Sequence, residues 1–321
     1  ATIGGSPGLV LITWLVAGLL AGAAALCFAE LSAAIPRTGG TYVFLKRAYR
    51  SEIVAFSFGW MMCFAYGTGA IAVVAIMAAT FLIPVLEAVG IPAAGRLGQI
   101  AVALIAILTL LNVQGIREGG ITQNVITFLK LLLIAALMSV PLFLGEPRLG
   151  RFTEVSNAAS PGSMAAAVGT ALMICLFSYN GAYFVTHVAG EIREPRKNIP
   201  KAILGGFLIV LCVYLSINVL YLTVMPFPDI EASERIAADL MGRLLGPAGA
   251  ILTSVVVFVS AIGVLNAQLL NYPRIQFALA SDGLFFRRIA VVSEKTKTPA
   301  AALSLIHISE PTRPERIAEC E

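Results

Sequence analysis

Charge is absent from long stretches of this chain, and that spacing constrains the fold more than any single motif. Seven runs carry almost no Asp, Glu, Lys or Arg: residues 1–29, 53–86, 97–116, 119–129 continued by 131–145, 155–190, 202–228 and 244–273. A helix needs about 20 apolar residues to cross a hydrocarbon core of about 30 Å, and each run is long enough. Transmembrane strands are shorter and alternate polar with apolar residues, which these runs do not. The expected class is therefore an all-α polytopic membrane protein. Its spans are placed near residues 9–35, 53–85, 98–116, 121–144, 163–190, 200–225 and 247–270. Only 12% of the residues are charged, against about a quarter in soluble domains, so a pair of soluble domains is excluded.

The basic residues then set the orientation. If the first span ends inside, the inner loops hold Arg37, Lys46, Arg47 and Arg50, then Arg117, then Arg193, Arg196, Lys197 and Lys201, then Arg274 and the basic residues after it. The outer loops keep only Arg96, Arg148, Arg151, Arg235 and Arg243. Positive residues favour the cytoplasmic side, which puts loops 36–52, 191–201 and 271–299 in the cytoplasm. Compact loops point to a bacterial inner (plasma) membrane. The same distribution explains the net charge of +4 without nucleic acid as a partner. Cys27, Cys63, Cys175 and Cys212 lie singly in apolar runs and no CxxC pair occurs, so neither a metal site nor a disulfide framework is expected. No phosphate-binding glycine loop or nucleophile–base pairing occurs either, which argues against an enzyme and against a resident cofactor.

Within the spans, several residues are ones a lipid-facing helix avoids. Lys130 stands near the middle of 121–144, where an ammonium costs about 2.5–3.5 kcal/mol to insert. A midplane lysine cannot snorkel easily, so it is expected to face the bundle interior. Glu30 lies about a turn and a half from the inner end of the first span and reads as an interfacial carboxylate bracing an inner gate. Phe177-Ser178-Tyr179-Asn180-Gly181 places an Asn-Gly turn signal in mid-span. It fits either a discontinuous helix, whose exposed ends bind ions and carboxylates, or a glycine packing notch. Tyr66-Gly67-Thr68-Gly69 is polar and flexible at mid-span. Gly18 and Gly22 form a GxxxG, read as packing.

Taken together, the segments resemble the amino acid–polyamine–organocation permeases. Ala29-Glu30-Leu31 with Ile35-Pro36-Arg37-Thr38-Gly39-Gly40-Thr41-Tyr42-Val43 is similar to the end of their second span and the loop after it. Asn124 to Lys130 resembles their fifth span, and Phe177 to Gly181 their unwound sixth. Gly190-Glu191-Ile192-Arg193-Glu194-Pro195 with Asn198-Ile199-Pro200-Lys201-Ala202 resembles the following loop. Pro273-Arg274, Ala278 to Gly283 and Thr298-Pro299 resemble the eighth span's end and loop. The resemblance covers residues 1–303 and implies a partial LeuT-like inverted-repeat transporter fold, without the family's first span and its last ones. It implies sodium-independent amino-acid transport, by proton symport or by exchange. Phe177, Ser178, Tyr179, Asn180 and Gly181 would bind substrate, with Tyr66 approaching from the family's third span. Lys130 would stand where sodium-coupled relatives of the fold hold a cation, and Glu30 and Glu191 would belong to the inner gate. Two other readings compete: a seven-helix membrane receptor, and a polyamine or organic-cation transporter. Residues 304–321 turn abruptly polar (Leu305-Ile306-His307-Ile308-Ser309-Glu310-Pro311) and read as a non-native tail of adapter read-through, excluded from fold reasoning.

Overall fold

A computed structural model of the chain describes residues 7–113, 116–148, 150, 161–233 and 235–290. The expected tail, 304–321, lies outside the described residues. Every regular element among the described residues is helical, and the chain is an all-α polytopic membrane protein. The long elements are α1 (Pro7–Ala34), α3 (Glu52–Met61), α4 (Gly67–Ala88), α5 (Leu97–Val113), α6 (Ile116–Leu144), α7 (Pro161–Ser178), α8 (Pro195–Val224) and α11 (Pro247–Ser281). Short helices α2 (Thr41–Tyr49), α9 (Phe227–Ala232) and α10 (Ile236–Leu245) sit between them.

Lipid offers the backbone no partners, so a spanning segment must bond to itself. The hydroxyls within the spans follow the same rule. Thr13 donates to the Leu9 carbonyl at 2.7 Å, Ser32 to Phe28 at 2.6 Å and Thr170 to Ala166 at 3.0 Å. Each polar side chain is thereby neutralised one turn back along its own helix.

Among the described residues six helical segments are long and apolar enough to cross a membrane: Pro7–Ala34, Glu52–Ala88, Gly119–Leu144, Met164–Glu191, Pro195–Val224 and Pro247–Ser281. The span expected at 98–116 is a 17-residue helix, α5. At 1.5 Å per residue it covers roughly 25 Å, short of the full core. Several stretches placed between the expected spans are partly helical. In 36–52 lies α2, with Tyr42 and Phe44 buried and Lys46 and Arg47 in its last turn. The last span runs to Ser281 rather than ending near 270. An apolar count misses that extension because its inner portion carries Asn271, Arg274 and Gln276, all buried by packing rather than by lipid.

The chain divides into two compact units. The first comprises Ala1–Pro36, Ile134–Val185 and Ile192–Thr253, and the second Arg37–Leu133, Thr186–Glu191 and Ser254–Glu321. In the first, α1 packs along α8 through the GxxxG pair. A Cβ on Gly22 would stand 3.0 Å from the Phe207 ring, and Gly18 faces Leu211. The motif is a packing device, letting two backbones approach closely.

Candidate functional site

In the first unit α7 stops at Ser178, and Tyr179–Gly181 form a turn with Gly181 at φ +120°. The chain resumes as a 3-10 helix, Ala182–Glu191. That backbone angle favours glycine strongly, which is why the Asn-Gly pair can interrupt the span.

A helix end leaves carbonyls without partners, and here they are taken up one by one. The Tyr179 N–H donates to the Cys175 and Leu176 carbonyls at 3.3 and 3.2 Å, and the Asn180 N–H to Phe177 at 3.1 Å. The Tyr214 hydroxyl, from α8, donates to the Ser178 carbonyl at 3.0 Å. The Tyr179 hydroxyl reaches the Trp14 carbonyl on α1 at 3.3 Å. Trp14, Tyr179 and Tyr214 form an aromatic cluster, with ring centroids 5.2 to 5.9 Å apart and Phe207 at its edge. The break is therefore a braced structure.

Beside it opens a cleft of about 260 Å³ between the middle of α1 (Leu20 to Phe28) and the break (Leu176 to Tyr183). Phe28 and Tyr183 stack across it at 4.9 Å. No charged side chain lines it.

Of the expected pocket residues, Phe177, Tyr179, Asn180 and Gly181 line this cleft. Phe177 is 72% exposed, whereas Tyr179 is 6% exposed and serves the aromatic brace. Ser178 does not line the cleft: its hydroxyl bonds back to Ile174 at 3.0 Å, as serines near helix ends commonly do. Glu30 is exposed on α1, and neither a hydrogen bond nor an ion pair holds it among the described residues.

The remaining expected residues belong to the second unit. Tyr66 closes a π-helical turn, Met62–Tyr66, with its ring edge-on to Tyr272 at 6.5 Å. Such bulges recur at functional sites, and the flexible Gly67-Thr68-Gly69 after it was the only sign in the sequence. Glu191 accepts from the Arg274 Nε at 3.1 Å, with side-chain exposures of 23% and 1%. Around it, the Gly39 N–H donates to the His187 carbonyl at 3.0 Å. The Tyr42 hydroxyl and Lys46 Nζ both donate to Asp282, at 2.9 and 2.8 Å. Burial alone would raise the Asp282 carboxyl. The hydrogen bonds from Lys46 and Tyr42, with the charges of Lys46 and Arg37, bring it below the usual carboxylate range. Lys130 is half-buried on α6.

Comparison with known proteins bears on these features. The amino acid permease family matches residues 1–310. The chain belongs to that family. It is 31% identical over 303 residues to the serine/threonine exchanger SteT of Bacillus subtilis, covering 94% of this chain and 67% of the relative. It is 29% identical to the mouse b(0,+)-type amino acid transporter 1, over 93% of this chain and 61% of that protein. The mouse large neutral amino acids transporter small subunit 2 is also 29% identical, over 93% and 56%. The chain thus spans between about half and two thirds of the length of these relatives. Membership in a permease family sets the receptor reading aside.

Proposed function

We propose that this permease carries neutral amino acids across the membrane by exchange, independently of sodium. The braced helix break beside an uncharged cleft is the observation that carries the reading. The N-terminal end of the 3-10 helix after the break supplies a positive dipole end for a substrate carboxylate. Apolar walls from α1 and the aromatic faces of Phe28, Phe177 and Tyr183 suit an uncharged side chain. A polyamine would need carboxylates, and none lines the cleft. Exchange is favoured over symport because the bacterial relative is named an exchanger.

Lys130 takes the coupling position in this reading, its fixed ammonium replacing a bound cation. Glu191, held by Arg274, and Glu30, on the last turns of α1, are the inner-gate carboxylates of this reading, and loops 36–52, 191–201 and 271–299 face the cytoplasm of a bacterial cell. Tyr66, at the π-turn, contributes to substrate contact, and the proton remains the second candidate for coupling.

The test is uptake into proteoliposomes made with the full-length protein. Labelled amino acids are supplied without sodium, with and without unlabelled amino acid inside. Uptake stimulated at least tenfold by internal neutral amino acid supports exchange. Equal uptake into empty vesicles, accelerated by an inward proton gradient, overturns exchange in favour of symport. Lys130→Ala is expected to abolish coupled uptake, and full retention removes Lys130 from the mechanism.

A further inference from the structure

We propose that Asn266 is a positioning residue for Lys130, fixing the register of the helix seam that carries the lysine. The proposal rests on the reading of Lys130 above for its functional meaning, but its geometry stands apart from that reading.

Within the second unit α6 and α11 meet along three observed layers. Gly119 faces Leu270: a Cβ on the glycine would stand 2.9 Å from a leucine methyl. Gln123 accepts from Asn266 Nδ2 at 2.8 Å. Ile126 faces Gly263, whose Cβ would stand 2.9 Å from an Ile126 methyl. From layer to layer the number on α6 rises by as much as that on α11 falls. This is the signature of an antiparallel pair with steps of four and then three residues. Such spacing is the seam of helices crossing at a shallow angle. The next step of four lands on Lys130 in α6 and on Val259 in α11. Lys130 is therefore a seam residue, standing opposite a valine, about 10 Å along the helix from Gln123. Both residues are half-buried, as a seam position requires.

Of the three observed layers the amide one is polar, and it extends beyond two helices. Asn112 on α5 donates to the Asn266 carbonyl oxygen at 2.9 Å and to the Leu108 carbonyl at 2.8 Å. Asn266 donates to Gln123, and Gln123 donates to Thr127 at 3.4 Å. Asn266 is fully buried and Asn112 nearly so. A seam of glycine, leucine, isoleucine and valine could slide by one turn with little change in packing. A buried amide cannot, because a slip strands its donors and acceptors at about 1–3 kcal/mol each. A single buried asparagine fixes register in coiled coils by the same means. Here the register it fixes is that of the ammonium seven residues along α6 from Gln123.

Cysteine cross-linking in isolated membranes tests this in the full-length protein with its native cysteines replaced. Lys130→Cys with Val259→Cys is expected to cross-link at least tenfold faster than Leu129→Cys with Val259→Cys, whose first residue points about 100° away. Adding Asn266→Leu should slow the first pair at least fivefold, and Asn266→Gln should restore it to within twofold. If Asn266→Leu does not accumulate, Gln123→Leu breaks the same layer from α6. No preference for the 130/259 pair overturns the proposal, and so does an unchanged rate when the amide layer is removed. Because residue 130 is cysteine throughout, this result is independent of whether the amine couples transport. Lys130→Ala in the uptake assay decides that separately.

Discussion

Replacing Gly40 with alanine should destabilise the protein by about 2–6 kcal/mol, and the structure supplies both parts of that figure. Gly40 has φ +50° and ψ −119°, a combination outside the left-handed helical well and disfavoured for any residue with a Cβ. Holding alanine there costs about 1–3 kcal/mol. The added methyl would also meet Thr186 and His187, including the His187 backbone nitrogen at 3.1 Å. Thr186 and His187 are fully buried, so the contact cannot relax into space, and overpacking adds about 1–3 kcal/mol. Thermal unfolding of the purified protein in detergent measures the sum. Gly205→Ala is the control, since nothing lies within 4 Å of its Cβ position. That change should be neutral or stabilising by up to about 1 kcal/mol. Equal melting behaviour of the two variants would refute the reasoning, because glycine would then be dispensable where the backbone and the neighbours both demand it.

Tyr214→Phe keeps the aromatic cluster but leaves the Ser178 carbonyl without its donor. A loss of about 1–2 kcal/mol in thermal stability is expected, with weakened substrate affinity in competition uptake. The Arg274–Glu191 pair should respond asymmetrically. Glu191→Ala strands a guanidinium that is 1% exposed and should cost about 3–5 kcal/mol, while Arg274→Met leaves a carboxylate nearer to solvent and should cost less. Equal losses in paired unfolding curves would count against that picture. Asp282 gives a pH dependence of known sign. Its carboxyl lies lower in the folded protein than in the unfolded chain. Its stabilising contribution is therefore complete above the ordinary carboxylate value and fades as pH falls through the depressed one. Asp282→Asn should flatten the acid limb of the stability profile and leave pH 6–8 almost unchanged.

How much was legible in the sequence depended on range. The helix break was half legible because its cause is local: an Asn-Gly pair inside an apolar run signals either a break or a packing notch, and Gly181 at positive φ decides for the break. The GxxxG of Gly18 and Gly22 was readable as packing for the same reason, although its partners Leu211 and Phe207 were not. What was not legible acts over long separations. Trp14 and Tyr214 look like ordinary span aromatics until the fold brings them to Tyr179. Asn112 and Gln123 look like isolated polar residues until Asn266 joins them. Ser178 enters the expected pocket through the family resemblance alone, and its position near a helix end directs the hydroxyl to Ile174. The inner extension of α11 was hidden because hydropathy measures fitness for lipid. Arg274 and Gln276 are buried against protein instead.

The polar groups of the spans divide into two kinds with different physical purposes. Thr13, Ser32 and Thr170 return their bonds to their own helices. Such residues leave a helix free to slide or tilt, because they make no demand on a neighbour. Asn112, Asn266 and Gln123 bond between helices, and Tyr214 bonds from one helix to the broken end of another. Interhelical bonds in membranes contribute about 0.6 kcal/mol on average, too little to explain stability yet enough, in series, to exclude a shifted register. A carrier must change shape without losing the alignment of the few groups that meet its substrate. Among the described residues such bonds gather at the break, at the seam of Lys130 and at the inner end of α11, where Arg274 meets Glu191 and Asp282 meets Tyr42 and Lys46; they pin those places and leave much of the remaining helix surface to apolar packing.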